Sequence, residues 1–320
     1  MNSVVTNPRL GVAIVAPAGH VADPCAVDRG IAYLQARGCR VHNYYDHQAI
    51  YQRFGGTDAA RLAALYAAAE NPEVDLVMAV RGGYGLTRLL PDIDFARLAA
   101  GGKLFVGYSD ITALQMGLYA KTGALSYAGP FVANDFGALD PVAFTLDDFW
   151  ACLAGPTHTI VETCAGNPRV EAAGTIWGGN LAMLGSLIGT EWFPRIEGGI
   201  LFVEDIAEHP YRIERLLLQL MQTGVLARQQ ALVLGDFSDY RLGALDNGYD
   251  FDAMLDYLRA TLPIPIVSGL SFGHIPRRVT IPFGAKATLA SNGDGFRLTL
   301  SDYPTRTGFA ATSDPVSRPK

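Results

Sequence analysis

Three short apolar runs constrain this chain most. Leu10–Ala16, Asp75–Val80 and Lys103–Gly107 are almost continuously hydrophobic, and a turn and a helical pattern follow each of them. A strand that is apolar on both faces must be covered on both faces, which is the situation of a parallel sheet sandwiched between helices. The intervening segments supply those helices. Asp23-Pro24 places a cap and a first-turn proline ahead of a helix that runs to Arg37 and is closed by Gly38. Arg40–Tyr44 reads as a second strand, and Thr57-Asp58 caps an alanine-rich helix over Ala59–Glu70. The expected class is α/β, with residues 1–155 forming one parallel-sheet domain.

The pattern changes near Gly155-Pro156. Residues 156–170, with Thr157–Thr163 followed by Cys164-Ala165-Gly166-Asn167-Pro168, read as a linker. Residues 171–305 read as a second domain of mixed α and β structure. It holds apolar strands at Gly174–Trp177, Ile200–Val203 and Ala231–Gly235, and a helix from Gly178-Gly179-Asn180 to Ile188. The helix Pro210–Thr223 aligns Ile213, Leu216, Leu217 and Leu220 on one face. Another helix spans Tyr249–Leu262, and Ala287–Ala290 with Phe296–Leu300 make a hairpin. Residues 306–320 are polar and are expected to form a mobile tail.

Composition narrows the function classes. A chain of 320 residues with 49% hydrophobic and 18% charged residues can bury two cores. Its 25 Lys and Arg against 31 Asp and Glu give a net charge of -6, without a basic run of the kind nucleic acid requires. No stretch approaches the roughly 20 apolar residues of a membrane helix. Ala16-Pro17-Ala18 imitates a signal cleavage site, but the short run before it reads as a strand. Cys25, Cys39, Cys152 and Cys164 are scattered without zinc or disulfide spacing, so a reducing, cytoplasmic setting is expected. No HExxH or other ligand cluster points to a metal, and no fingerprint points to a cofactor.

The chemistry-bearing segment is Gly107-Tyr108-Ser109-Asp110, at the join of an apolar strand and a helix. Strand, sharp turn and helix lift a serine hydroxyl off the sheet edge and set the next N–H groups where an oxyanion would form. Ile111 occupies the place of the second glycine in the nucleophile-elbow pattern, and Ser109 would serve equally as a helix N-cap. A serine nucleophile needs a base and an acid to hold that base. Of the six histidines, His20 lies in the loop after the first strand, His42 and His47 in a polar Tyr-rich stretch, His158 in the linker and His209 at a helix start. His274 sits in the glycine- and proline-punctuated loop Ser271–Arg278. Glu204 follows four apolar strand residues, where a carboxylate is costly without a partner, and Asp205 competes with it at the same turn. The loop Arg81-Gly82-Gly83-Tyr84-Gly85 fails as a dinucleotide fingerprint because Arg88 stands at the third glycine position. Its N–H groups suit an oxyanion hole instead, with Gly83 beside the N–H of Asp110. Trp177-Gly178-Gly179-Asn180 is a second glycine turn at a helix start, suited to an anionic group.

These segments, with Pro210-Tyr211-Arg212-Ile213-Glu214-Arg215 and Phe272-Gly273-His274, follow one another in the order and spacing of the LD-carboxypeptidases, also called muramoyltetrapeptide carboxypeptidases. The chain resembles that family from about Val12 to Leu300. The resemblance implies a Rossmann-like N-terminal domain joined to a smaller C-terminal one, a homodimer, and a cytoplasmic serine peptidase of cell-wall recycling. It implies release of terminal D-alanine from murein tetrapeptides, with Ser109 as nucleophile, Glu204 as acid and His274 as base. Arg81, Arg277 and Arg278 are candidates for the substrate's terminal carboxylate, and Trp177 and Asn180 are further candidates for substrate contact. The alternative within the family is a self-immunity peptidase that cleaves peptidyl or aminoacyl nucleotide antibiotics. Outside it, the rival is a non-catalytic nucleotide- or sugar-binding module.

Overall fold

The structure is a computed structural model and describes residues 9–309. The first half alternates strand and helix: β1 (Gly11–Val15), α1 (Pro24–Ala36), β2 (Arg40–Asn43), α2 (Asp58–Glu70), β3 (Leu76–Ala79), α3 (Leu86–Leu89), α4 (Phe95–Ala100), β4 (Leu104–Gly107), α5 (Ile111–Thr122), β5 (Ser126–Ala128) and α6 (Ala143–Ala154). Strands β2-β1-β3-β4-β5 lie side by side, all parallel. Every residue of β1, β3, β4 and β5 is buried, as continuous apolar runs require. The Asp23 carboxylate accepts the Cys25 N–H at the start of α1, and the Thr57 hydroxyl accepts the Ala60 N–H at the start of α2.

The second half contains β6 (Thr157–Thr163), β7 (Val170–Asn180), α7 (Leu181–Leu187), β8 (Gly199–Ile206), α8 (Pro210–Gln222), β9 (Gln229–Ser238), α9 (Phe251–Thr261), β10 (Ile266–Ser268), β11 (Ile281–Phe283), β12 (Lys286–Ser291) and β13 (Gly295–Ser301). A seven-stranded sheet has the order β10-β9-β8-β7-β12-β13-β6. Its β10-β9-β8-β7 part is parallel and its β7-β12-β13-β6 part antiparallel, which is why this half lacked a clear parallel signature. On α8, Ile213, Leu217 and Leu220 are buried, matching the stripe read from their spacing.

Three expectations change. Most of the expected linker 156–170 is structured, since β6 forms the edge of the second sheet and β7 begins at Val170. The second half is also not self-contained, because β11 pairs antiparallel with β5 and completes the first sheet. Its three residues are fully buried there. Finally, the start of the expected tail is packed. Arg306 N donates to Leu153 O at 2.8 Å, Leu10 N donates to Gly308 O at 3.3 Å, and the Phe309 ring lies 4.6 Å from that of Trp150. Residues 310–320 lie outside the described residues.

Helix α5 is buried along residues 111–118 because it packs against β7 and α7 of the second half as well as its own sheet. The two sheets thus meet across α5. The carboxyl ends of β4 and β8 carry Ser109 and Glu204, and the loop from β10 to β11 carries His274 from one sheet to the other. Among the described residues, no helix is long and apolar enough to cross a membrane.

Candidate active site

Ser109 follows β4 with a φ of +58°, in the left-handed region that non-glycine residues enter at a cost of about 1–3 kcal/mol. The neighbouring sequence makes that turn possible. A Cβ on Gly107 would lie 2.8 Å from the Ile111 side chain, so one glycine provides the close approach even though Ile111 replaces the other. The N-cap reading of Ser109 does not hold, since no side chain caps α5. Its hydroxyl is instead 3.1 Å from His274 Nε2.

Glu204 is fully buried and lies across from Asn180 in the β7–β8 register. Its Oε2 is 2.7 Å from His274 Nδ1, and its Oε1 accepts Asn180 Nδ2 at 3.2 Å. Both oxygens are therefore used. Asp205, the competing acid, faces elsewhere: it accepts Asn180 Nδ2 at 2.9 Å, Ala182 N at 2.8 Å and Ile206 N at 2.9 Å. Burial, and secondarily the charge of Glu204, push its carboxyl up to about 6. The anion held by the Gly178-Gly179-Asn180 turn is thus the protein's own. Asn180 is a support behind Glu204 rather than a substrate contact, and its backbone N–H donates to Thr112 Oγ1 of α5 at 3.1 Å. Trp177 also leaves the set of substrate contacts, because it is fully buried and donates to Gln229 Oε1 at 2.9 Å.

The imidazole of His274 therefore bridges a hydroxyl and a carboxylate. Such a row can move a proton off the hydroxyl and stabilise the imidazolium that results. Three of the five other histidines have different side-chain partners: His158 faces Asp148 at 3.0 Å, His209 faces Asp246 at 3.1 Å, and His47 meets the Tyr45 hydroxyl at 2.9 Å. Among the arginines, Arg278 is paired with Asp135, and Arg277 lies 3.9 Å from Glu162. Arg81 instead donates to a carbonyl, that of His20, at 3.1 Å.

The glycine loop after β3 packs on the serine, but the touching residue is Gly82, which sequence reasoning passed over for Gly83. A Cβ at Gly82 would fall 2.8 Å from Ser109 Cβ and 2.9 Å from its Oγ. Gly82→Ala should therefore tilt Ser109 and lower kcat by about 100-fold, as displacements near 1 Å do, with the fold retained by circular dichroism. Wild-type turnover in that variant would show that the loop yields freely.

Asp110 joins this loop to the elbow, since its Oδ2 accepts the Leu86 N–H at 2.9 Å. Burial raises its carboxyl from an ordinary 3.8 to about 6. Between those values the folded protein holds a proton that the unfolded chain has released. Stability therefore falls as pH rises through the window and is level above it. Asp110→Asn keeps an acceptor for Leu86 N and removes the titration. Urea midpoints compared at about pH 4 and about pH 7 should fall less in the variant than in wild type. An equal fall in both would contradict the assignment.

Two cavities flank the turn at Asn134 and Ala138. One, of about 310 Å³, is lined by Tyr108, Asp135, Thr145, His274 and Arg278. The other, of about 300 Å³, is lined by Arg81, Arg29, Asp23 and Ala133. A larger concavity of about 830 Å³ lies on β6, β7, β12 and β13 and holds none of the residues of the row.

Comparison with known proteins bears on the family. Residues 12–129 match the LD-carboxypeptidase N-terminal domain, and residues 173–289 match the LD-carboxypeptidase C-terminal domain. The crystal structure of a muramoyltetrapeptide carboxypeptidase from Oxalobacter formigenes is 50% identical, with a TM-score of 0.88 over 92% of this chain and 100% of that one. A murein tetrapeptide carboxypeptidase from Pseudomonas aeruginosa is 30% identical over 88% of this chain and 93% of its own length. The microcin C7 self-immunity protein of Escherichia coli is 28% identical over 85% of this chain and 87% of its own. By this extent of similarity, and by both domain matches, the chain belongs to the LD-carboxypeptidase family.

Proposed function

We propose that this protein removes the terminal D-alanine from murein tetrapeptides, with Ser109 as nucleophile, His274 as general base and acid, and Glu204 as the acid that orients it. The observation that carries the reading is the row Ser109 Oγ–His274 Nε2–Glu204, with links of 3.1 and 2.7 Å. His274 Nε2 takes the hydroxyl proton as Ser109 Oγ attacks the amide carbonyl carbon. Glu204 accepts the Nδ1 proton's hydrogen bond throughout and stabilises the imidazolium. The backbone N–H groups of Gly83 and Asp110 receive the oxyanion, each worth about 3–4 kcal/mol in such sites. The C–N bond then breaks, and His274 returns its proton to the departing D-alanine amine. Water, deprotonated by the same imidazole, hydrolyses the ester and frees Ser109.

A carboxypeptidase must also read a free carboxylate. Arg81 suits this role because its partner is a carbonyl, whereas Arg277 and Arg278 already face carboxylates. The free thiols at Cys25, Cys39, Cys152 and Cys164 agree with a cytoplasmic setting. Homodimerisation is part of the same proposal and is read by light scattering on a sizing column.

The direct test incubates the purified protein with murein tetrapeptide and, separately, with an aminoacyl sulfamoyl nucleotide. D-Alanine release from the first at a rate far above cleavage of the second is expected. The reverse preference would assign the protein to the self-immunity branch, and tight nucleotide binding without hydrolysis would make it a binding module.

A further inference from the structure

The base and the nucleophile are held together by a side chain outside the row. The loop carrying His274 is closed at its foot by Val279 N donating to Ser271 O at 2.8 Å. Upstream of His274, the Phe272 carbonyl accepts Asp236 N at 2.8 Å. Downstream, side chains take over. The Ile275 carbonyl accepts Arg278 Nη1, and the Pro276 carbonyl accepts Thr145 Oγ1 at 2.7 Å. Arg278 is only 4% exposed, and its other terminal nitrogen donates to Asp135 Oδ1. Asp135 Oδ2 in turn accepts the Phe131 N–H at 2.7 Å.

The same guanidinium lies 4.3 Å from the centre of the Tyr108 ring. Tyr108 immediately precedes Ser109, stacks on Phe131 at 4.2 Å, and meets the His274 ring at 5.2 Å. One buried cation therefore touches the carbonyl of the residue that follows the base and the ring of the residue that precedes the nucleophile. It fastens both to a carboxylate on the Val132–Phe136 turn of the first half. A buried ion pair is a poor source of net stability, so geometry is the better account of it here.

We infer that Arg278, anchored on Asp135, is a positioning residue that sets the reach of His274 to Ser109. This rests on the proposed roles of those two residues. Arg278→Lys keeps the charge, but a single ammonium lacks the planar fork that grips the Ile275 carbonyl and Asp135 at once. Its kcat for D-alanine release should fall by about 100-fold, with KM changed by less than about threefold. Labelling of Ser109 by a fluorophosphonate should slow in parallel, because that reaction also draws on His274. The double variant Arg278→Met with Asp135→Asn removes the pair without leaving a lone buried charge, and should show the same loss.

Wild-type kcat and labelling in Arg278→Lys would overturn the inference. So would a rise in KM alone, which marks a substrate contact, or failure of both variants to fold, which marks a plain structural brace. Slowed labelling in the variants of a protein that releases no D-alanine from murein tetrapeptide would leave the positioning role standing and defeat only the substrate reading.

Discussion

Ser109→Ala is expected to lower kcat for D-alanine release by about a million-fold, while tetrapeptide binding and thermal stability stay near wild type. The size follows from what the hydroxyl does. In the proposed mechanism no acyl-enzyme forms without it, and His274 and Glu204 have no proton to manage, so the row fails as a unit. The fold should survive because the lost contact is a single 3.1 Å hydrogen bond to a partly exposed imidazole. The left-handed turn at position 109 strains alanine much as it strains serine. Stopped assays by chromatography with a D-alanine readout, together with binding calorimetry on the variant, check both halves. Retained turnover would remove Ser109 from the mechanism.

Glu204→Gln should cost about 10⁴-fold in kcat with little change in KM. In the native site both carboxylate oxygens accept, one from His274 Nδ1 and the other from Asn180 Nδ2. A glutamine has only one oxygen. It must turn its NH2 towards either Asn180 or the imidazole, and each choice sets donor against donor in a site with no solvent access. Relief comes by placing the imidazole proton on Nε2, the tautomer unable to accept from Ser109. Removing the charge should also lower the carboxyl of Asp205, since Glu204 is one of the two causes raising it. A Glu204→Gln enzyme within about tenfold of wild type would mean that the acid has no orienting role.

The sequence carried the parts of this site that depend on neighbours along the chain. Gly107 and Ser109 were legible because a sharp strand-to-helix turn is a local event, and Glu204 because a carboxylate ending an apolar strand demands a partner. His274 stands out among six histidines by its glycine- and proline-punctuated loop, and the family resemblance then singles it out. Parts that depend on long-range pairing stayed hidden. Asn180 reads as a substrate contact because nothing local reveals that β7 pairs with β8 so as to set it opposite Glu204. Trp177 looked available at a glycine turn, whereas the sheet folds it into the core. The apolar run after Arg278 reads as a strand, but nothing local reveals that β11 pairs with β5 from the other half of the chain. A glycine pair in one loop gives no local sign of which member packs on the serine, and the structure shows that it is Gly82. Arg278 read as one basic residue of two, and only the packing separates a buried clasp from its exposed neighbour Arg277.

The proposed mechanism requires a covalent bond between the Ser109 oxygen and the acyl part of the substrate. Rapid acid quench of the enzyme with murein tetrapeptide, then digestion and mass analysis, reads that bond directly. One transient adduct is expected, on the peptide containing Ser109, heavier by the mass of the substrate less D-alanine. D-Alanine release with an adduct on another residue, or sustained release by Ser109→Ala, would contradict it.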